Sequence, residues 1–105
     1  MNKLNISKNE ITSYGMSRLK ESLKTSVIIE LDISQNPLGN SGIKELSDFL
    51  FHQNCNIDRL DISDCKFTWE GGLMLMTSVK HMKRLVMDRN NLKSHTRNNH
   101  FQQIM

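Results

Sequence analysis

The chain has 105 residues, the length of one domain, with 37% apolar and only 6% aromatic residues, which argues for a thin, elongated core and against an aromatic stacking surface for nucleic acid. No apolar run approaches the ~20 residues of a membrane span, the opening MNKLNISKNE carries no signal peptide, and two cysteines cannot staple a secreted scaffold, so a soluble, cytoplasmic protein is expected. The formal charge of +3 is uneven: residues 1–79 sum to −2, and residues 80–105 to +5 through Lys80, Lys83, Arg84, Arg89, Lys93 and Arg97 against Asp88.

A repeat runs along the chain. Leu4-Asn5-Ile6 is followed by Asn9, Ile11, Gly15, Leu19 and Leu23. The same order returns at Leu31-Asp32-Ile33, with Asn36, Leu38, Gly42, Leu46 and Leu50. It returns again at Leu60-Asp61-Ile62, with Cys65, Phe67, Gly71, Leu75 and Val79. A fourth copy opens at Leu85-Val86-Met87 with Asn90 and Leu92. It then decays, with Thr96 and His100 in the glycine and leucine slots. An apolar residue precedes each copy by three: Met1, Ile28, Ile57 and Met82. The first leucines are 27, 29 and 25 residues apart. This divides one domain, 1–105, into about four repeats: 1–27, 28–56, 57–81 and 82–105.

Each apolar-x-apolar start has the period of a strand with one buried face. Leu4/Ile6, Leu31/Ile33, Leu60/Ile62 and Leu85/Met87 are expected to point inward from four parallel strands. Asn9, Asn36 and Asn90, with Cys65 in the third copy, suit an internal ladder that satisfies buried backbone groups in the turns. Gly15/Leu19/Leu23, Gly42/Leu46/Leu50 and Gly71/Leu75/Val79 recur at i, i+4, i+8, which predicts helices. The glycines are read as close approaches of helix to sheet. Ser13, Ser41 and Thr68 are read as caps, and Glu21, Glu45 and Glu70 as exposed helix residues.

The order L-x-L-x-x-N/C-x-L…G…L…L over residues 1–94 resembles the leucine-rich repeat of the ribonuclease-inhibitor type. The resemblance implies an α/β solenoid, a short horseshoe arc with parallel strands on the concave side and helices on the convex side. It also implies a non-enzymatic module that binds a protein partner through the concave face. The residues beside the inward leucines form its rows: Lys3, Glu30, Arg59, Arg84; then Asn5, Asp32, Asp61, Val86; then Ser7, Ser34, Ser63, Asp88. Two alternatives stand beside this reading. One is a regulator of a small GTPase or of actin and cytoskeletal assembly. The other is a basic C-terminal patch binding nucleic acid or acidic lipid.

No nucleophile elbow or phosphate loop is present, so no catalytic residue or cofactor is assigned. His52, Cys55 and Cys65 offer too few ligands for zinc, and His95 and His100 have no carboxylate nearby, so no metal is assigned. The first strand begins without a polar cover. That edge is expected either to continue a longer array or to self-associate.

Overall fold

The structure, a computed structural model, describes residues 2–51 and 55–93. Each L-x-L start forms a three-residue strand: β1 Lys3–Asn5, β2 Glu30–Asp32, β3 Arg59–Asp61 and β4 Arg84–Val86. They form one parallel sheet in the order β1-β2-β3-β4. The register places Leu4, Leu31, Leu60 and Leu85 side by side. A slip of one residue would turn every leucine to the opposite face. The strands stop one residue short of Ile6, Ile33 and Ile62, but their N–H groups still bond the next coil, to the carbonyls of Asp32 (2.8 Å), Asp61 (3.0 Å) and Val86 (2.8 Å).

Three helices return the chain on one side of this sheet: α1 Ser13–Leu23, α2 Gly39–Leu50 and α3 Trp69–Leu75. The core lies between the layers and is richest in the middle coils, where Leu31, Ile33, Leu38, Ile43, Leu46, Ile57, Leu60, Ile62, Phe67 and Leu75 are buried. Leu4, Ile6, Leu85 and Leu92 of the outer coils are only partly buried against it. This is the gradient expected when each coil covers its neighbour and none covers itself. Met1, and the slots of the fourth copy at Thr96, His100 and Ile104, lie outside the described residues.

The ladder of asparagines is present and its chemistry is explicit. Asn36 is buried; its Oδ1 accepts the N–H groups of Asn9 (2.8 Å) and Ile11 (3.0 Å), while its Nδ2 donates to the carbonyls of Ile6, Ile33 and Ser34. Asn90 repeats the pattern two joints later, accepting from Cys65 and Phe67 and donating to Ile62, Met87 and Asp88. Cys65 occupies the same place between them, its Sγ donating to the carbonyl of Ile33 (3.3 Å). The middle joint regains polar bonds on its helix side. Asn40 and Thr68 bond each other twice, and Ser47, Ser78 and the carbonyl of Met74 form a buried cluster.

Four expectations are corrected. The glycines do not mark helix–sheet approaches. A Cβ at Gly42 would lie 2.7 Å from Leu38 Cβ and 3.4 Å from Ser13 Cα, and one at Gly71 2.5 Å from Asn40 Oδ1 and 3.2 Å from Phe67 Cβ. The crowding comes from the apolar residue entering the helix and from the start of the preceding helix. Of the expected caps only Thr68 acts, accepting from Glu70 N; the N-caps of α1 and α2 are Thr12 and Leu38, and Ser13 and Ser41 lie inside the helices. Glu45 is not exposed: it meets Lys20 of α1 at 2.6 Å and holds that ammonium above the ordinary lysine range. Val79 is not helical. With Gly71-Gly72 weakening α3, the helix ends at Leu75; Met76 N and Ser78 N make i→i+3 bonds to Leu73 O and Leu75 O, and Val79 N alone keeps an i→i+4 bond, to Leu75 O.

One regularity is invisible in the residue types. The second residue after each inward isoleucine or methionine, Lys8, Gln35, Asp64 and Arg89, has φ between 51° and 59°. Glu10 and Lys66 are left-handed two residues later. Pro37 cannot be, and in that coil the left-handed residue is Gly39 instead, with the N-cap one position earlier.

Asn36→Ala removes the acceptor of the Asn9 and Ile11 N–H groups and the donor to the Ile6 carbonyl, while the Ile33 carbonyl keeps Cys65 Sγ and the Ser34 carbonyl keeps Lys8 N; chemical denaturation is expected to show a loss of about 3 kcal/mol. Gln35→Gly relieves a left-handed backbone costing roughly 1–2 kcal/mol, less glycine's own entropy, so thermal melting is expected to rise by a few °C, about 0.5–1 kcal/mol.

Candidate functional site

The strand face opposite the helices carries two rows in the register read from the sequence. Lys3, Glu30, Arg59 and Arg84 align in one; Asn5, Asp32, Asp61 and Val86 align in the next. The middle strands and β4 enclose a shallow hollow of about 230 Å3, lined by Glu30, Asp32, Arg59, Asp61, Arg84 and Val86 over Leu31 and Leu60. Lys3 and Asn5 lie on the same rows at β1, exposed and outside the hollow.

The third row is different. Ser34 and Ser63 are only 6% and 3% exposed, and they are withdrawn from the expected contact surface. Asp32 Oδ1 accepts both the N–H (3.0 Å) and the Oγ (2.6 Å) of Ser34, and Asp61 Oδ1 accepts the N–H of Ser63 (2.9 Å). Asn5 holds Ser7 in the same way. Ser63 Oγ in turn accepts the N–H of Asp88. These serines close the turn after each strand, the local bonding that makes Asp/Asn-x-Ser a turn former. Ser7 is half-buried, and Asp88 is exposed beyond the hollow.

The hollow's charge follows from these bonds. Asp32 and Asp61 each give one oxygen to the turn and keep the other for the face. They stand on adjacent strands, about 4.8 Å apart at the backbone. Beside them Arg59 reaches Glu30 at 3.9 Å, a partly exposed pair of small energetic weight. Arg84 makes no ion pair among the described residues. The result is an acidic row beside a row that is basic toward β4, with Val86 as an apolar step where the acidic row ends. The C-terminal positive charges are divided: Arg84 lines the hollow, Lys83 sits 3.5 Å from Asp58, and Arg97 lies outside the described residues.

Among the described residues no group of three His, Cys, Asp or Glu side chains is placed to hold a metal ion, and no helix is long and apolar enough to cross a membrane. His52, His95 and His100 lie outside the described residues. Both cysteines are free; Cys55 is half-buried, and burial pushes the Cys65 thiol from its usual 9.0 up to about 11.

Comparison with known proteins agrees with this architecture. The Leucine Rich repeat family matches residues 27–47 and 53–76. The chain is 30% identical over 97 residues to the NACHT, LRR and PYD domains-containing protein 3 of Homo sapiens, covering 88% of this chain and 9% of that protein. It is 26% identical over 94 residues to the ribonuclease inhibitor of Sus scrofa, covering 86% of this chain and 21% of the inhibitor. The chain thus spans a small part of these curated relatives. Among solved structures, leiomodin-1 actin-binding site 2 superimposes with a TM-score of 0.73 at 17% identity, covering 99% of this chain and 61% of that one, a likeness of fold.

The Cys65 shift has a defined sign. The folded state keeps the thiol protonated above the pH at which the unfolded chain loses it. The contribution of Cys65 is therefore fully present below pH 9 and is expected to be lost between about pH 9 and 11, so Cys65→Ser makes the fall shallower when urea midpoints are followed against pH.

Proposed function

The chain is a leucine-rich-repeat protein of the ribonuclease-inhibitor type, and from that premise we propose that it is a non-enzymatic module that docks a protein partner on its strand face. The observation that carries the reading is the hollow itself. Six side chains of both charges, one of them apolar, converge on exposed sheet whose backbone is already satisfied by strand pairing. Such a surface recognises by side-chain complementarity and offers no reacting group. Lys3, Asn5 and Asp88 extend it along the same rows, and Ser7 lies at its margin.

A partner seated there meets opposite charges in adjacent rows. Its basic groups oppose Asp32 and Asp61, and an acidic group opposes Arg59 and Arg84. Charge patterning of this kind sets register and association rate more than total affinity. The narrower alternatives, a regulator of a small GTPase or of actin assembly, use the same face. They are selected by nucleotide-dependent capture of a GTPase or by cosedimentation with filamentous actin.

A photo-crosslinking residue at Val86 is expected to capture a protein, and the same residue at Tyr14, exposed on α1, is not. The Arg59→Glu/Arg84→Glu variant is expected to lose the capture at least tenfold, the scale of one or two desolvated charge contacts, while melting as the parent does. Capture at Tyr14 alone, or capture indifferent to the charge reversal, would overturn the reading. Retention on RNA or acidic vesicles that falls steeply toward ~0.2 M salt would favour the basic-patch alternative instead.

A further inference from the structure

The dimensions of the strand-face hollow limit what can lie in it. It spans three strands and two rows: Glu30 and Asp32 on β2, Arg59 and Asp61 on β3, Arg84 and Val86 on β4. Neighbouring strands are ~4.8 Å apart and residues i and i+2 of one strand ~6.6 Å apart, so the floor measures about 10 by 7 Å, with its longer side across the strands.

Two properties of this floor select the conformation of an occupant. The first is its backbone. The N–H and C=O groups of β2 and β3 are taken up by parallel pairing on both sides, so the face offers an incoming chain only side chains. An extended segment laid there leaves its own N–H and C=O groups without partners against a half-buried surface, which is costly for every group cut off from water. A helix carries its backbone bonds with it. The second property is spacing. Residues i, i+4 and i+7 form one stripe of a helix with a total rise of ~10.5 Å, close to the width of the three strands. Same-face residues of an extended chain are ~6.7 Å apart, so a segment crossing the strands is out of step by the third coil.

The charges give the stripe its chemistry. On one row Asp32 and Asp61 each hold a turn with one carboxylate oxygen and keep the other for the face, and Val86 follows them. On the other row Arg59 has Glu30 at 3.9 Å, and Arg84 has no carboxylate partner among the described residues. Taking the strand face as the docking surface, the reading on which this inference rests, we propose that the partner presents a single α-helix laid across the strands. It carries basic residues at i and i+4 over Asp32 and Asp61 and an apolar residue at i+7 over Val86. Acidic residues over Arg59 and Arg84 stand one position away from the last two, about 100° round the helix. Turned end for end, the same helix sets its basic residues over the arginines, so the pattern fixes direction as well as face.

The test pans two display libraries of equal size on the immobilised 105-residue chain. One varies a single helix face on a rigid helical-bundle scaffold, and the other varies one strand of a disulfide-closed β-hairpin. Clones are kept when the Arg59→Glu/Arg84→Glu variant fails to bind them, which restricts them to the hollow. Helical clones are expected to carry the i, i+4, i+7 pattern, to bind at least about tenfold more tightly than hairpin clones, and to lose at least about tenfold in affinity for the Asp32→Asn/Asp61→Asn variant. That variant removes both charges and keeps the turn acceptor, as Asn5 does for Ser7; its melting temperature is expected within about 2 °C of the parent's. Hairpin clones of equal or better affinity, or helical clones indifferent to Asp32→Asn/Asp61→Asn, would overturn the helix and leave the docking face standing. A hollow that enriches neither library would overturn the docking reading together with the helix.

Discussion

A buried amide that serves two coils at once is the interaction on which the stack depends. A turn between strand and helix carries N–H and C=O groups that are neither in a sheet nor in a helix, and the neighbouring coil cuts them off from water. Left unpaired, each costs on the order of 1–3 kcal/mol. Asn36 and Asn90 answer several such groups each, because an amide offers both a donor and an acceptor at one point in space. Apolar burial drives the coils together, but the amide fixes their register and spacing. The strand face is straight enough to align its rows because of that spacing.

The middle joint shows how far this requirement can be redistributed. A thiol at Cys65 is a weak donor and cannot replace an amide bond for bond. There the polar links move outward, to the Asn40–Thr68 pair and the Ser47–Ser78 cluster between α2 and α3. The joint between the first two coils uses an ion pair, Lys20–Glu45, in the corresponding region. The two helix–helix joints among the described residues thus hold their helices with two different chemistries, while the leucine layer beneath changes little.

The architecture was legible because it is written in a period. Leucine, asparagine and glycine recur at fixed offsets, so strand register, ladder and rows follow from counting, and Glu30, Asp32, Arg59, Asp61, Arg84 and Val86 stand where the count places them. What counting missed depends on atoms. Ser34 and Ser63 share the parity of the exposed rows, yet the chain turns at them and their N–H groups fold onto Asp32 and Asp61. Ser13 and Ser41 have the chemistry of caps but fall inside the helices, one residue past the N-cap Thr12 and three past the N-cap Leu38.

The column of left-handed residues has a consequence for how such a molecule can diversify. Its demand is conformational: the backbone must pass through positive φ, and no side-chain hydrogen bond among the described residues ties the occupant's chemistry to the stack. Lys8, Gln35, Asp64 and Arg89 already span both charges and neutrality. β-Branched residues are excluded by sterics, while most others are admitted at similar strain. A strip just beyond the strand ends is therefore free to drift in electrostatic character, so the margin of the strand face can be rewritten without disturbing the frame that presents it.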